Sequence, residues 1–576
     1  METYNKYFKE ENIIFLLCRM RAKLAKRRHK KHLLLNLSSD PKLNFHSEKL
    51  EPNESQLVEI MPPRRDWKKL GQDKRMGDLS PINTIDKNIR SLQLTINYFK
   101  SLESKPQFIE GLEKTIRSIQ FLPRKKLYQI TKPDIYPKKK DEKSQKITKC
   151  RPISLFGLKD KIIITLTNKF LTDLFDGFFY FHSYAFRSKR EVKSKLVTPS
   201  HHDCIKYISE YVHKFNDTPL WVAESDICKF YDSVNHNMIK RSFKVLIKRA
   251  KKSYPGLSCI GATRVFESYL KSYSFIHDIL PLNKDQSFFE KFHIHNGEFE
   301  WIDKELHEKH YYKSLYKERI GVPQGGALSG LIANIVLDYA DKKVLEHDDG
   351  KLLYIRYCDD MILMHPDQNV CSKAFQSYNR ALTDLKLIPH NPEIIEEYSK
   401  AQWVKKSKDV YRWAPAENGG IPWIGFVGYE MNRKGDIRVR KKSLSKEMKK
   451  QYEIVSVIKR TVKKNYRRVN KKTISDSTIN RLTGMSIGRA TIWNYKFMKN
   501  ELCWANGFGM INDNKYSRIQ IRRLDRSRNK LIFRLNRFIK KMNDLDLPDR
   551  KPRKNTPKYY GKPFSYYYHI IEKKPI

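Results

Sequence analysis

The chain is 576 residues long, enough for several domains and a large buried core. It carries 114 Lys and Arg against 64 Asp and Glu, a net charge of +50, which favours an extended polyanion as partner: nucleic acid first, an anionic membrane surface second. No run of about 18 apolar residues is present to span a bilayer, and the apolar IIFLLC of 13–18 lacks the basic lead-in of a secretory signal. Eight cysteines without a C-x-x-C read as reduced thiols of a cytosolic protein rather than a disulfide frame or a zinc site.

In chain order, residues 12–35 hold a helix-capable basic run, CRMRAKLAKRRHKKHLLL, followed by a Pro-, Asn- and Ser-bearing stretch to about 85. This arm reads equally as a solvated extension and as a phosphate contact. From 86 the pattern becomes globular. LYQITKPDIYPKKKDEKSQKITKCRPISLF predicts two strands joined by a charged loop, and DKIIITLTNKFLTDLFDGFF (160–179) has helical apolar spacing. His201/His202, His293/His295 and His307/His310 are expected to be ordinary surface or loop residues; the last pair falls one residue short of helical zinc spacing. From 443 the chain turns helical and basic. In 519–542 an apolar stripe of Ile521, Leu524, Leu531, Leu535, Phe538 and Met542 is interrupted by Arg528 and flanked by Arg522, Arg523, Arg526, Lys530, Arg534, Arg537 and Lys541, a density of one sign that favours RNA or DNA contact. The tail KYYGKPFSYYYHII (558–571) combines tyrosines with lysines and suits either packing or base stacking.

Three stretches carry chemistry. LLYIRYCDDMILM (352–364) sets Asp359 and Asp360 between two apolar runs, which suits a hairpin with both carboxylates at its turn. VAESDICKFYDSVNH (222–236) is a second strand-like run ending at Asp226, with Asp232 beyond it. Side by side, Asp226 and Asp359 could share hard divalent cations, two of which can activate a hydroxyl and stabilise a leaving pyrophosphate. Between them, GVPQGGALSGLIANIVLDYAD (321–341) starts as a Gly-rich loop around Gln324 and Gly325, then continues as a helix with an apolar stripe.

The order of these elements resembles the reverse transcriptase family, whose palm runs carboxylate strand, P-Q-G loop and helix, then Y-x-D-D hairpin. RPISLFGLKDKIII (151–164) and HSYAFRSKR (182–190) are similar to its fingers motifs, and WIGFVGYEMNRKGDIRVRKKSLSK (423–446) to its primer grip leading into the thumb. The resemblance implies an α+β right-hand polymerase with fingers, an antiparallel-sheet palm and a helical thumb, flanked by basic helical extensions: 1–85 the N-terminal extension, 86–442 fingers and palm, 443–576 thumb and C-terminal extension. It implies an RNA-directed DNA polymerase in which Asp226, Asp359, Asp360 and the Ile227 carbonyl hold two Mg²⁺ ions, with Mn²⁺ able to substitute. Tyr231 then matches the steric gate against a ribose 2′-hydroxyl. Gln324 and Gly325 would meet the incoming dNTP and Arg151 its phosphates, while Arg438, Arg440, Arg522, Arg523 and Arg526 would hold nucleic acid. Arg187, of the S-Y-x-F-R motif, suits a structural pairing inside the fingers as well as a nucleotide contact.

One departure stands out. Where many relatives carry N-P-x-K after the hairpin, this chain has Ile394; Lys386 and Lys400 lie nearby, and no general acid is assigned. Within the family, KPDIYPKK through SYAFR and the LDRSR helix resemble bacterial defence-associated lineages, among them a type-three system pairing two polymerases with a non-coding RNA. That implies a bacterial cytoplasmic enzyme with an RNA template, a DNA product and no membrane, and a second reverse transcriptase as partner; oligomeric state stays open. A retron or group II intron enzyme, a template-independent or protein-primed polymerase using a tyrosine such as Tyr566, Tyr567 or Tyr568, and a non-catalytic RNA-binding scaffold remain as alternatives.

Overall fold

The structure, a computed structural model, describes residues 2–36, 50–71, 84–140, 147–192, 195–216, 218–391, 406–415, 417, 419–463, 474–476, 478–479, 482–483, 508–546 and 564–565. The chain divides into two compact units, Met1–Ile14 with Gly111–Val427, and Phe15–Glu110 with Gly428–Ile576. Ile394, Lys400, Cys503, Tyr566, Tyr567 and Tyr568 lie outside the described residues.

In the first unit the expected hairpin forms from β1 (Asp134–Lys139) and β2 (Thr148–Leu155), antiparallel with Pro137 opposite Pro152. A proline donates nothing to a ladder and needs an edge. β2 has one at Pro152, because its parallel partner further along the chain, Gly297–Phe299, reaches only from Thr148 to Cys150. Helix α1 (Leu158–Phe175) follows, buried along Ile162, Ile163, Leu166, Phe170 and Leu174. Tyr4 bonds Thr167 across 2.7 Å and Tyr7 donates to Asp173 at 2.9 Å, which fixes the N-terminus to this helix.

The palm sheet has four antiparallel strands. They are β3 (Leu220–Ser225), β4 (Leu353–Tyr357), β5 (Asp360–His365) and β6 (Lys408–Trp413), in the order β4-β5-β3-β6. β3 is central and apolar at Leu220, Val222 and Ala223, as a strand covered on both faces must be. Its one acid, Glu224, is neutralised inside the sheet by Lys408 at 2.5 Å and by the Tyr411 hydroxyl at 2.6 Å, both from β6. Helix α2 (Ala327–Leu345) is buried from Leu328 through Leu337, and α3 (Gln368–Asp384) starts on an Asp367 side-chain cap.

In the second unit, Tyr429–Asn432 and Ile437–Val439 pair antiparallel, and helices α4 (Lys441–Lys463) and α5 (Lys515–Asp546) follow. Val455 and Ile458 share a cluster with Ile474, Leu482, Leu531, Ile532, Leu535 and Ile539. The predicted α5 stripe is the buried face at Ile521, Leu524, Leu531 and Leu535. Arg528, expected to interrupt it, is itself buried, donating to Thr483 Oγ1 at 3.0 Å and to Asn529 Oδ1 at 2.8 Å. Among the described residues no helix is long and apolar enough to cross a membrane, and the seven described cysteines are free thiols.

Candidate active site

β3 and β5 run antiparallel with Ser225 opposite Met361. Continued by one residue, this register sets Asp226, just past the end of β3, level with Asp360, the first residue of β5. β4 and β5 close as the expected hairpin, Tyr357 opposite Asp360, with Cys358 and Asp359 at the turn. Asp226, Asp359 and Asp360 therefore meet at one end of the sheet. Asp359 is pushed above the ordinary carboxylate range, by burial first and then by the charge of Asp226. Two carboxylates in a shared site repel and cannot both ionise freely without a counter-charge.

The turn is held from below. Cys358 takes a left-handed φ of 64°, which costs a non-glycine residue about 1 kcal/mol. Arg356, fully buried on β4, donates Nη1 to the Cys358 carbonyl at 2.9 Å and clamps Asp341 of α2 through two bonds of 2.7 and 2.6 Å. The same Nη1 reaches Asn334 Oδ1 at 3.1 Å, and Asn334 donates to the Ala185 carbonyl at 2.8 Å. The HSYAFR stretch thus joins the Asp359–Asp360 hairpin through Tyr184 N to Arg356 O at 3.0 Å as well. Motif reasoning passed over Arg356, although a lone charge in the apolar run LLYIRY was a signal of a buried partner.

A cation already stands at the carboxylates. Lys406 Nζ lies 2.9 Å from Asp226 Oδ2, and His390 Nε2 lies 3.7 Å from the same oxygen. Burial alone would lower the Lys406 pKa, but Asp226, with Asp360 behind it, raises it. His390 is pulled down, first by burial and then by Lys406, so Lys406 is the charged partner. His390 Nδ1 sits 3.0 Å from Cys228 Sγ. No motif pointed to Lys406 or His390. Lys386, considered as a proton donor, instead bonds the Tyr311 carbonyl at 2.9 Å and lies over the Tyr312 ring.

The remaining expected residues gather nearby. Tyr231 has its hydroxyl 3.0 Å from Cys358 Sγ, so the residue beside Asp359 tethers it. The V-P-Q-G loop is zipped to the Tyr231–Val234 backbone by Val322 N to Tyr231 O at 2.7 Å and Gly321 N to Val234 O at 2.8 Å. Gln324 O accepts from Ser154 N of β2 at 2.8 Å, and its side chain donates to Asp232 Oδ1 at 2.7 Å. Gly325 holds φ +101°, a turn that favours glycine, with a Cβ there 3.3 Å from Ser154 O. Arg151 is exposed on β2 and its charge acts on Asp232. Arg187 is the structural pairing: Nε bonds Asp176 Oδ1 at 2.7 Å, and the side chain is buried.

In the second unit Arg438 pairs with Glu430 at 2.7 Å and lies over the Tyr516 ring, while its strand neighbours Ile437 and Val439 are buried on the other face. Arg440 begins the turn into α4, its N–H bonded to Gly428 O at 3.0 Å. Arg522, Arg523 and Arg526 are exposed on α5.

Residues 136–392 match the family described as "Reverse transcriptase (RNA-dependent DNA polymerase)". That segment is a reverse transcriptase domain, and the class of enzyme it defines is RNA-directed DNA polymerase. The match includes Arg151, Asp226, Tyr231, Gln324, Asp359 and Asp360 and stops short of Lys406. No curated protein matches the chain. Among solved structures, apo telomerase from Candida tropicalis aligns at 12% identity over 81% of this chain and 77% of its own, TM-score 0.34. Telomerase from Candida albicans with a fragment of telomeric RNA aligns at 12% over 85% and 74%, TM-score 0.32. At these TM-scores the superposition is loose, and the family match alone identifies the domain.

Proposed function

We propose that the chain copies RNA into DNA at Asp226, Asp359 and Asp360, using divalent cations, in a bacterial antiviral system with its own non-coding RNA. The observation that carries the chemistry is the convergence of the three carboxylates at the sheet end, with Asp359 pushed up by Asp226. The donor set fits Mg²⁺: hard oxygens in excess over the single positive charge of Lys406. Among the described residues no group of three or more His, Cys, Asp and Glu side chains forms a metal cage. A polymerase ion needs none, because it takes one or two carboxylates and leaves positions for substrate phosphates. Asp226, Asp359, Asp360 and the Ile227 carbonyl would hold it, with Mn²⁺ able to substitute. Two bound ions would supply activation of the attacking hydroxyl and charge neutralisation at the leaving pyrophosphate.

The chain's own residues do the rest. Tyr231 crowds the sugar at its 2′ position and selects dNTPs, Gln324 and Gly325 meet the nucleotide, and Arg151 its phosphates. Residues 86–442 serve as fingers and palm, 443–576 as thumb and C-terminal extension, and 1–85 as a basic N-terminal extension. Arg438, Arg440, Arg522, Arg523 and Arg526 hold the nucleic acid. The defence role rests on the resemblance of KPDIYPKK through SYAFR and of LDRSR to the type-three system, and brings with it a cytoplasmic setting and a second reverse transcriptase.

The test is incorporation of labelled dNTPs with Mg²⁺ by the purified protein, with and without RNase, beside Asp359→Ala/Asp360→Ala. Product abolished by both RNase and the double substitution is expected, and its sequence identifies the template. Product that survives RNase means template-free or protein-templated synthesis, and product that survives the double substitution refutes the site.

A further inference from the structure

Asp232 is a carboxylate without an assigned task. It follows Tyr231 in FYD, is almost wholly buried, and makes one side-chain hydrogen bond among the described residues, as acceptor from Gln324 Nε2 at 2.7 Å. Gln324 is pinned on its main chain too, by Ser154 N on β2 at 2.8 Å, and the loop before it by Val322 N to Tyr231 O. Its main chain is therefore fixed beside Asp232, and what the side-chain contact decides is which end of the amide faces the carboxylate. An ionised carboxylate only accepts hydrogen bonds, so it admits Nε2 and turns Oε1 away from itself. A glutamine alone presents either end; a glutamine facing a buried carboxylate presents one.

We propose that Asp232 is a positioning residue that locks the Gln324 amide so that the loop offers an acceptor, Oε1, to a hydrogen-bond donor of the incoming nucleotide. This rests on the reading above that Gln324 meets that nucleotide. Protonation undoes the lock, because a neutral carboxyl can donate to Oε1 and let the amide rotate, exposing Nε2 instead. Burial raises the Asp232 pKa to about 6, against the Gln324 bond and the charges of Lys229, Lys140 and Arg151, which all lower it. Tyr273, the other titratable group facing it, is held neutral by burial and by Asp232. The lysines are themselves engaged: Lys140 and Lys229 both bond Glu300.

The experiment measures KM and kcat for dTTP between pH 5.5 and pH 8 for the wild type, Asp232→Asn and Gln324→Ala, on whichever primer–template the protein extends. Alongside it runs the rise in melting temperature caused by dTTP with Mg²⁺. In the wild type KM should climb several-fold and the thermal shift shrink as pH falls through about 6. Asn mimics the neutral acid, so Asp232→Asn should raise KM about tenfold at pH 7.5, the worth of roughly one hydrogen bond, with kcat within about threefold and a flat KM profile. A wild-type KM and pH profile in Asp232→Asn, with Gln324→Ala impaired, overturns the proposal and leaves the Gln324 contact standing. An unchanged KM in Gln324→Ala overturns both. Should Asp232→Asn fail to fold, the wild type against Gln324→Ala decides: an acid-side rise in KM that persists without Gln324 overturns the lock.

Discussion

A single side chain, Arg356, shows how the hairpin carries its acids. It is wholly buried, and its charge is met by Asp341 through two bonds while one nitrogen holds the Cys358 carbonyl. Removing one partner of such a pair leaves an uncompensated buried charge and costs about 3–5 kcal/mol. Arg356→Leu should therefore lose that much stability by denaturant titration. Arg356→Met with Asp341→Leu should recover most of it, since an apolar pair of similar volume replaces the ions. Incorporation should stay low in the double variant, because the left-handed turn at Cys358 no longer has its donor. Full activity there would show that the turn holds without Arg356. Tyr231 offers a second prediction: Tyr231→Ala should raise ribonucleotide relative to deoxynucleotide incorporation, and an unchanged ratio removes the gate assignment. Cys358→Ala should raise the ratio less, because it removes only the 3.0 Å tether of the hydroxyl.

At the scale of elements, α5 joins a basic face to an anchoring one. Asp525 lies on its buried side and accepts from Phe564 N at 2.8 Å and Ser565 N at 2.7 Å, while Phe564 is itself buried. Those two N–H groups have this carboxylate as their partner, and losing a buried partner costs about 1–3 kcal/mol. Asp525→Ala should make the chain near 564 cleavable by protease while α5 stays helical by circular dichroism; unchanged protection would mean other contacts hold the segment. The elements were largely legible in the sequence. The apolar runs on either side of the paired aspartates located the Leu353–Tyr357 and Asp360–His365 hairpin, and helical spacing located α1, α2 and α5. What pattern alone hid was pairing across long separations. Lys406 meets Asp226 from 180 residues away, in a segment without a motif, and Asp232 meets Gln324 from 92. Arg528 was misread as a break in a stripe because a buried arginine and a solvated one look alike until Thr483 and Asn529 are beside it. Arg187, left between two roles, is settled by Asp176.

For the whole molecule the governing quantity is the +50 charge, which makes affinity for RNA largely a matter of counterion release. Such binding weakens with salt at a slope of about 0.7 per phosphate neutralised on a single strand. Arg522, Arg523 and Arg526 stand exposed on one helix whose opposite face is in the core, so they can be changed without touching the packing that holds α5. The triple Arg→Gln substitution should reduce the slope of log affinity against log salt by about 2 for a labelled single-stranded RNA, with the melting temperature unchanged. Three arginines taken from other exposed sites, Arg65, Arg117 and Arg241, serve as the control for charge alone. Equal losses in both triples would mean that the α5 face adds only to the general field of the protein. A loss confined to the α5 triple makes that face part of the path the RNA follows. Because all three positions fall outside the matched segment of residues 136–392, such a result would also show that this chain holds its nucleic acid with residues beyond that segment.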